Sequence, residues 1–195
     1  MPADFESLLA TRAAAAGRMG RTGMVLAVIA ETVFFAGLLF VTVAVRRTST
    51  AWPPPGSPTL DGTLLLATSA LLLGSGLTMV LGLRAIRRGS RAGLSIFVLL
   101  TALLGALFVA GQWAQFKHIG GWQTGEGQFT VLFNILSGFH ALHAGIGLVL
   151  LAVLLVRTML GQFDAERHVF VSTATTWWTF VCLIWLPILA TVALG

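Results

Sequence analysis

The sequence is poor in the residues on which soluble domains and metal sites depend. Charged side chains make up only 10% of its 195 residues, whereas soluble domains usually carry about 25%. A single cysteine, Cys182, excludes both a disulfide framework and a cysteine metal site. Hydrophobic residues make up 56% of the chain instead. This balance indicates an integral membrane protein.

Acidic residues are scarce as well, with 7 acidic against 12 basic residues and a formal net charge of +5. In a soluble chain that excess would suggest nucleic acid as a partner. Here the arginines lie in short segments between long apolar runs, where they set the orientation of a membrane protein. We therefore expect no nucleic-acid partner. The first residues lack the apolar core of a cleaved signal peptide.

Five apolar runs are long enough to cross a membrane as helices, since about 20 residues of helix span its hydrocarbon core. They are too long, and too little alternating, for strands of a barrel. We predict an all-α bundle of five transmembrane helices over 22–195, preceded by an N-terminal segment, 1–21. The predicted spans are 22–45, 62–83, 92–116, 130–156 and 172–194.

The basic residues lie mainly on one side of these spans. Nine of them precede the first span or fall in the second and fourth loops: Arg12, Arg18, Arg21, Arg84, Arg87, Arg88, Arg91, Arg157 and Arg167. Only three fall on the opposite side: Arg46, Arg47 and Lys117. The positive-inside rule then predicts that the N-terminus and its segment face the cytoplasm and that the C-terminus lies outside.

The two loops on the outer side differ in composition. "AWPPPGSP" (Ala51–Pro58) is a proline-rich connector that is not expected to be helical. "HIGGWQTGEGQ" (His118–Gln128) is glycine-rich and is expected to be flexible. Neither is followed by the Gly-Lys-Ser/Thr of a phosphate-binding loop.

Glu31 is the costliest residue to place in these spans. It lies about 10 residues into the first span, near the middle of the bilayer. A charged side chain at that depth costs about 3 kcal/mol on insertion scales. Two interpretations stay open: a neutral acid that is hydrogen-bonded to a neighbouring helix, and a proton-active or regulatory carboxyl.

His140 and His143 share one face of the fourth span, because they lie three residues apart. Two histidines on one helix cannot both ligate a single heme, and His118 and His168 lie in loops on opposite sides of the membrane. With Glu31 they do not close a metal shell either. We expect no heme and no metal in this chain. Packing with a buried hydrogen bond stays an alternative to a proton-active role.

The residues around the histidines point to a contact between helices. Ser137, Ala141 and Gly145 are small residues at four-residue spacing, a pattern typical of close helix packing in membranes. Counted from the same side of the membrane, Glu31 and His143 differ in depth by about 5 Å or less. We therefore predict a hydrogen bond between Glu31 and a histidine, with His143 as the first candidate.

Taken in order, these segments resemble subunit III of the heme–copper terminal oxidases. The resemblance is carried by "AETVFFAGL" in the first span, "WPPPG" with the following "LDGTLLLATSALLLGSG", "GFHALHAGIGLVLL" and "WWTFVCLIWL". Each segment alone is weakly specific, whereas their order and spacing are specific and cover the chain from about Gly20 onwards. Mitochondrial members have seven helices. This chain is similar to the five-helix bacterial form.

The match to the family pattern is incomplete. Thr179 and Cys182 stand where the family usually has histidine and aspartate, and Gln112, Gln115 and Phe116 replace its Gln…Glu-Tyr. The chain contains no tyrosine at all. The roles of those groups therefore do not carry over. The positions that match are Glu31, His140, His143, Trp178 and Trp185, of which the two tryptophans are candidates for helix packing or for a lipid cleft.

The resemblance implies a non-catalytic subunit of a bacterial proton-pumping oxidase that reduces oxygen to water. Such a subunit docks on subunit I beside subunit II, holds phospholipids, and supports proton uptake and durability in the inner membrane. Heme and copper then lie in partner subunits, and none in this chain. Subunit III of a quinol oxidase and an accessory protein of nitric oxide reductase are the alternatives within the superfamily. A small proton-coupled transporter is the more distant alternative, although no broken helix is evident.

Overall fold

The computed structural model describes residues 3–119 and 127–193, and the central part of the predicted flexible loop lies outside these ranges. The described residues form five helices and no strand. All five are long and apolar enough to cross a membrane, which confirms the predicted fold class. Their bounds are α1 Ala3–Thr48, α2 Gly62–Arg87, α3 Arg91–His118, α4 Gln128–Met159 and α5 Val169–Ala193.

The first helix is longer than the apolar run that predicts it. The sequence places the first span from residue 22, but α1 begins at Ala3 and continues through that position. The stretch "TRAAAAGRMGR" contains no proline, and its four alanines favour continuation of the helix, although Gly17 and Gly20 are weaker helix formers. The part of α1 that qualifies as a membrane span is Ala15–Thr48.

Polar side chains cap the N-termini of α2 and α3. Asp61 Oδ1 accepts a hydrogen bond from the backbone N–H of Leu64 at 3.0 Å and caps α2. Ser90 Oγ caps α3 in the same way through Gly93 N–H at 3.1 Å. Gly89, with φ +81°, makes the turn between them, a conformation that strains residues with a side chain. The proline-rich connector is non-helical, as predicted.

The helices pack around α5, which contacts α1, α2 and α4, while α3 packs against α2 and α4. Among these helix pairs, α1 contacts only α5 and α4, so it lies at the edge of the bundle. Arg91 donates from Nε to the Phe163 carbonyl at 2.7 Å, which joins the start of α3 to the turn before α5. We call this end of the bundle the arginine-rich side and the other end the arginine-poor side.

Two glycines let α3 and α4 approach Trp178 of α5. A Cβ added at Gly105 or at Gly147 would lie 2.6 Å from the Trp178 ring, which is 1% exposed. A Cβ added at Gly145 would meet nothing within 4 Å. Gly145 of the predicted stripe therefore makes no close approach within the described residues. Four-residue spacing rotates by about 40° per step, so Gly145 falls off the buried face that Gly147 occupies.

Candidate functional site

An acid from α1 and a histidine from α4 meet inside the bundle. His143 Nε2 lies 2.9 Å from Glu31 Oε2, so the contact predicted from depth is confirmed. The His143 side chain is 7% exposed, whereas that of Glu31 is 34% exposed. Glu31 is therefore held by the histidine on one side and remains accessible from the edge of the bundle on the other.

The hydrogen bonds of His143 define what this pair can hold. Its Nδ1 lies 2.6 Å from the Phe139 carbonyl, which can only accept, so Nδ1 carries a hydrogen. Nε2 then either accepts a hydrogen bond from a protonated Glu31 or, as an imidazolium, donates one to the carboxylate. In both arrangements one hydrogen bond joins the two groups.

Aromatic residues hold the His143 ring. Phe35 is fully buried and meets the ring edge-on at 5.1 Å between centroids. Trp177 stacks on it at 5.8 Å, with 17° between the planes. The Trp177 indole N–H also donates to the His143 carbonyl at 3.3 Å. These contacts fix the imidazole in the orientation that points Nε2 at α1.

His140 has a different partner from His143. Its Nε2 lies 3.0 Å from the Val181 carbonyl of α5 and therefore donates a hydrogen bond there. The ring is fully buried and lies 4.9 Å from Trp185 and 5.5 Å from Phe108 between centroids. His143 thus joins α4 to α1, while His140 joins α4 to α5. The sequence indicates a shared contact face but does not separate these two roles.

The two tryptophans of α5, Trp178 and Trp185, form hydrogen bonds with α2. The Trp178 indole donates to Ser75 Oγ at 2.9 Å, and the Trp185 indole to Ser69 Oγ at 2.8 Å. Between them, Cys182 Sγ lies 3.4 Å from the Leu72 carbonyl. The two serines are site residues that the sequence reasoning missed. The two serines lie six residues apart in an apolar run, and the two tryptophans lie seven residues apart. This similar spacing was the signal in the sequence that could have indicated the two pairs.

The arginine-rich side carries a basic crevice of about 960 Å³ between α1 and the turn that joins α4 to α5. Four arginines line it, with one acid, over an apolar floor that includes Met24, Phe163 and Phe170. These charged residues are Arg18, Arg21, Arg157, Arg167 and Glu166. The crevice combines positive charge with an apolar surface at the arginine-rich end of the bundle.

Arg157 is fixed at the edge of this crevice. Its guanidinium lies 4.8 Å from the Phe170 ring centroid and 5.1 Å from that of Phe163, and its Nε donates to Gln162 Oε1 at 2.8 Å. In the same turn, the backbone N–H of Arg167 donates to Asp164 and holds the pKa of that carboxyl below its usual value. The turn is therefore ordered by its own polar contacts.

Within residues 3–119 and 127–193, no group of three or more histidine, cysteine, aspartate or glutamate side chains is arranged to hold a metal ion. The site residues bind one another or the backbone instead: Glu31 binds His143, and His140 binds the Val181 carbonyl. The fold and the acid–histidine pair together define a multi-pass helical membrane protein. Its distinctive features are the Glu31–His143 contact and the basic crevice.

Comparison with known proteins assigns the chain to a family. The family model of cytochrome c oxidase subunit III matches residues 6–194, and the chain therefore belongs to the cytochrome c oxidase subunit III family. This confirms the resemblance found in the sequence. Membership implies that the chain works in a complex with other oxidase subunits.

Curated relatives agree with this assignment. The chain is 35% identical over 165 residues to cytochrome c oxidase subunit 3 of Synechocystis sp., an alignment that covers 84% of this chain and 70% of that protein. It is 30% identical over 176 residues to the probable cytochrome c oxidase subunit 3 of Nocardia farcinica, with 89% and 87% covered. It is 33% identical over 172 residues to cytochrome c oxidase subunit 3 of Danio rerio, an alignment that covers 85% of this chain and 66% of that protein.

Proposed function

We propose that the chain is the non-catalytic third subunit of a bacterial proton-pumping heme–copper oxidase, which reduces oxygen to water. It docks on subunit I, in a complex that also contains subunit II, and heme and copper lie in those partners. The family match over residues 6–194 is the observation that carries this proposal. The excess of arginines on one side supports an inner-membrane orientation with the N-terminus in the cytoplasm.

The proposed contribution to proton uptake rests on Glu31 and His143. The two groups are hydrogen-bonded to each other at mid-membrane depth, and Glu31 is 34% exposed toward the edge of the bundle. Ionisable groups inside a membrane are costly and usually serve a function. Glu31 is therefore the group through which this subunit affects protons that a neighbouring subunit takes up, either by exchanging them or by its charge.

The proposed lipid-holding role rests on the basic crevice. Its arginines suit the phosphate of an anionic phospholipid, and the apolar floor suits the start of its acyl chains. Arg157 is the central candidate because two phenylalanine rings already position its guanidinium. In this role the lipid fills the space between α1 and the turn before α5.

The test of the complex is co-purification in mild detergent. The chain should elute with subunits I and II, and a subunit II that contains a dinuclear copper motif would favour cytochrome c as the donor. Elution with a quinol oxidase or with a nitric oxide reductase would select one of those alternatives. Elution as a single chain that transports a proton-coupled substrate would contradict the proposal.

The lipid role predicts that Arg157→Gln lowers the amount of anionic phospholipid that stays with the purified complex. Loss of one charge-assisted hydrogen bond is worth about 1.5–3 kcal/mol, so retention should fall roughly tenfold or more. Quantitative lipid mass spectrometry measures it. Arg88→Gln is the matched control, since Arg88 is an exposed arginine on the same side that does not line the crevice. An equal effect of both substitutions would argue against a specific site.

A further inference from the structure

A groove between α3 and α4 on the arginine-poor side contains polar groups without partners. Gln112 and Ser137 line this groove, whose volume is about 240 Å³, and they are only 6% and 9% exposed. Across the described ranges, neither the Gln112 amide nor the Ser137 hydroxyl has a hydrogen-bond partner. Buried polar groups in native proteins nearly always have one. A molecule bound in the groove would satisfy these two groups.

The shape of the groove suits an apolar chain that carries a hydrogen-bonding group. Trp113, Phe116 and Phe133 line it together with the small residues Gly138 and Ala141. A Cβ added at Gly138 would meet nothing within 4 Å, so the space above this glycine is open. Trp113 is 58% exposed, so the mouth of the groove is open at the outer surface of the bundle.

A positive charge lies at this mouth. Lys117 Nζ is 5.6 Å from the centroid of the Trp113 ring, so the side chain is directed back along α3 toward the groove. Among the described residues that line the groove, none is acidic. An anionic group beside Trp113 would thus meet a cation without a competing carboxylate in the lining.

The depth of Gln112 matches the ester region of a lipid. The 28 residues of α3 extend over about 42 Å at 1.5 Å per residue, about 6 Å beyond each side of a hydrocarbon core that is about 30 Å thick. Gln112 lies six residues before the last residue of the helix, His118. That places it about 3 Å inside the hydrocarbon boundary, where a donor can reach the ester carbonyls of a phospholipid.

We propose that this groove binds one anionic phospholipid from the leaflet on the arginine-poor side. Lys117 pairs with its phosphate, the Gln112 amide and the Ser137 hydroxyl donate to its ester carbonyls, and one acyl chain lies over Gly138 and Ala141. The site is in the opposite leaflet from the basic crevice. It is independent of the role proposed for the complex, since it requires only that the helices span a membrane.

The test uses the purified oxidase complex in phosphatidylcholine nanodiscs that contain a trace of phosphatidylglycerol with a photoreactive diazirine near the ester end of one acyl chain. After irradiation, mass spectrometry locates the labelled peptides. We expect label on the α3 peptide around Trp113 and on the α4 peptide around Gly138. Gly138→Leu fills the groove and should abolish this label. Gly145→Leu is the matched control, because Gly145 is equally open on the same helix but does not line the groove.

Two further variants test the polar contacts. Ser137→Ala removes one donor, and label should fall roughly threefold, the effect of one membrane hydrogen bond. Lys117→Gln should lower labelling by phosphatidylglycerol but not by a neutral diacylglycerol that carries the same diazirine. Arg46→Gln, at the same side on α1, is the control and should change neither. Co-purification with the other subunits shows that each variant is assembled.

Three outcomes would overturn the proposal. Equal labelling of wild type and Gly138→Leu would mean that the lipid lies outside the groove. A crosslink between the groove and a polypeptide of another subunit would mean that a protein segment occupies it. Equal labelling by phosphatidylglycerol and by the neutral diacylglycerol, with no effect of Lys117→Gln, would exclude recognition of the phosphate.

Discussion

At the scale of single residues, the chain pairs groups that would each be costly alone in a membrane. Glu31 is hydrogen-bonded to His143, and His143 is oriented by Phe139 and Trp177. The pairing follows from depth, which can be counted along the sequence because helix rise is constant. The bond from His140 to the Val181 carbonyl could not be predicted in the same way, since every residue of a neighbouring helix offers a carbonyl.

A double-mutant cycle tests this pairing. Glu31→Gln and His143→Ala should each lower the stability of the assembled complex, and together they should lose less than the sum of the two. The coupling should be about 0.6 kcal/mol and not above about 1.7 kcal/mol, the range of hydrogen bonds inside membranes. Thermal dissociation in detergent measures it.

His140 supplies the control for this cycle. It lies on the same helix but binds α5 rather than Glu31, so Glu31→Gln and His140→Ala should be additive. Additivity in both cycles would mean that the contact between Glu31 and His143 contributes nothing to stability.

At the scale of elements, spacing in the sequence predicts the helices more reliably than it predicts their contacts. The five spans and the proline-rich connector follow from apolar length and from proline. The residues at which helices approach closely cannot be predicted in this way. A helix has 3.6 residues per turn, so residues at four-residue spacing leave the buried face after two steps. The serines that bind the α5 tryptophans illustrate the same limit, since many polar residues inside a membrane bind only their own helix, as Thr158 does.

Substitution of the glycines against Trp178 tests the packing of α4 on α5. Gly147→Ala should destabilise the bundle by about 1–3 kcal/mol, the usual cost of overpacking a core. The new methyl carbon would lie 2.6 Å from the ring, and Trp178 is held by its bond to Ser75. Unfolding in detergent, followed by tryptophan fluorescence, measures the change.

Gly145→Ala is the matched control on the same helix. Its added methyl group meets open space within the chain, so stability should stay within about 0.5 kcal/mol of wild type. Equal losses for the two variants would show that the contact with Trp178 does not determine their effect.

At the scale of the whole molecule, the bundle places its polar features at three levels. The basic crevice lies on the arginine-rich side, the Glu31–His143 pair lies at mid-membrane depth, and the groove at Gln112 lies on the arginine-poor side. The sequence predicts the levels from position along each span, but it does not predict which helices are neighbours. Adjacency depends on packing around α5, which the periodicity of a single helix does not specify.

The most direct measurement of the proposed role compares the oxidase complex with and without this chain. After its removal in detergent, the heme spectrum of the remaining complex should be unchanged, because its cofactors lie in other subunits. Proton uptake should become slower, or the working life during turnover shorter. Rebinding of the purified chain, which should itself be colourless, should restore both. A Soret band that remains with the isolated chain and is lost in His140→Ala or His143→Ala would contradict this account.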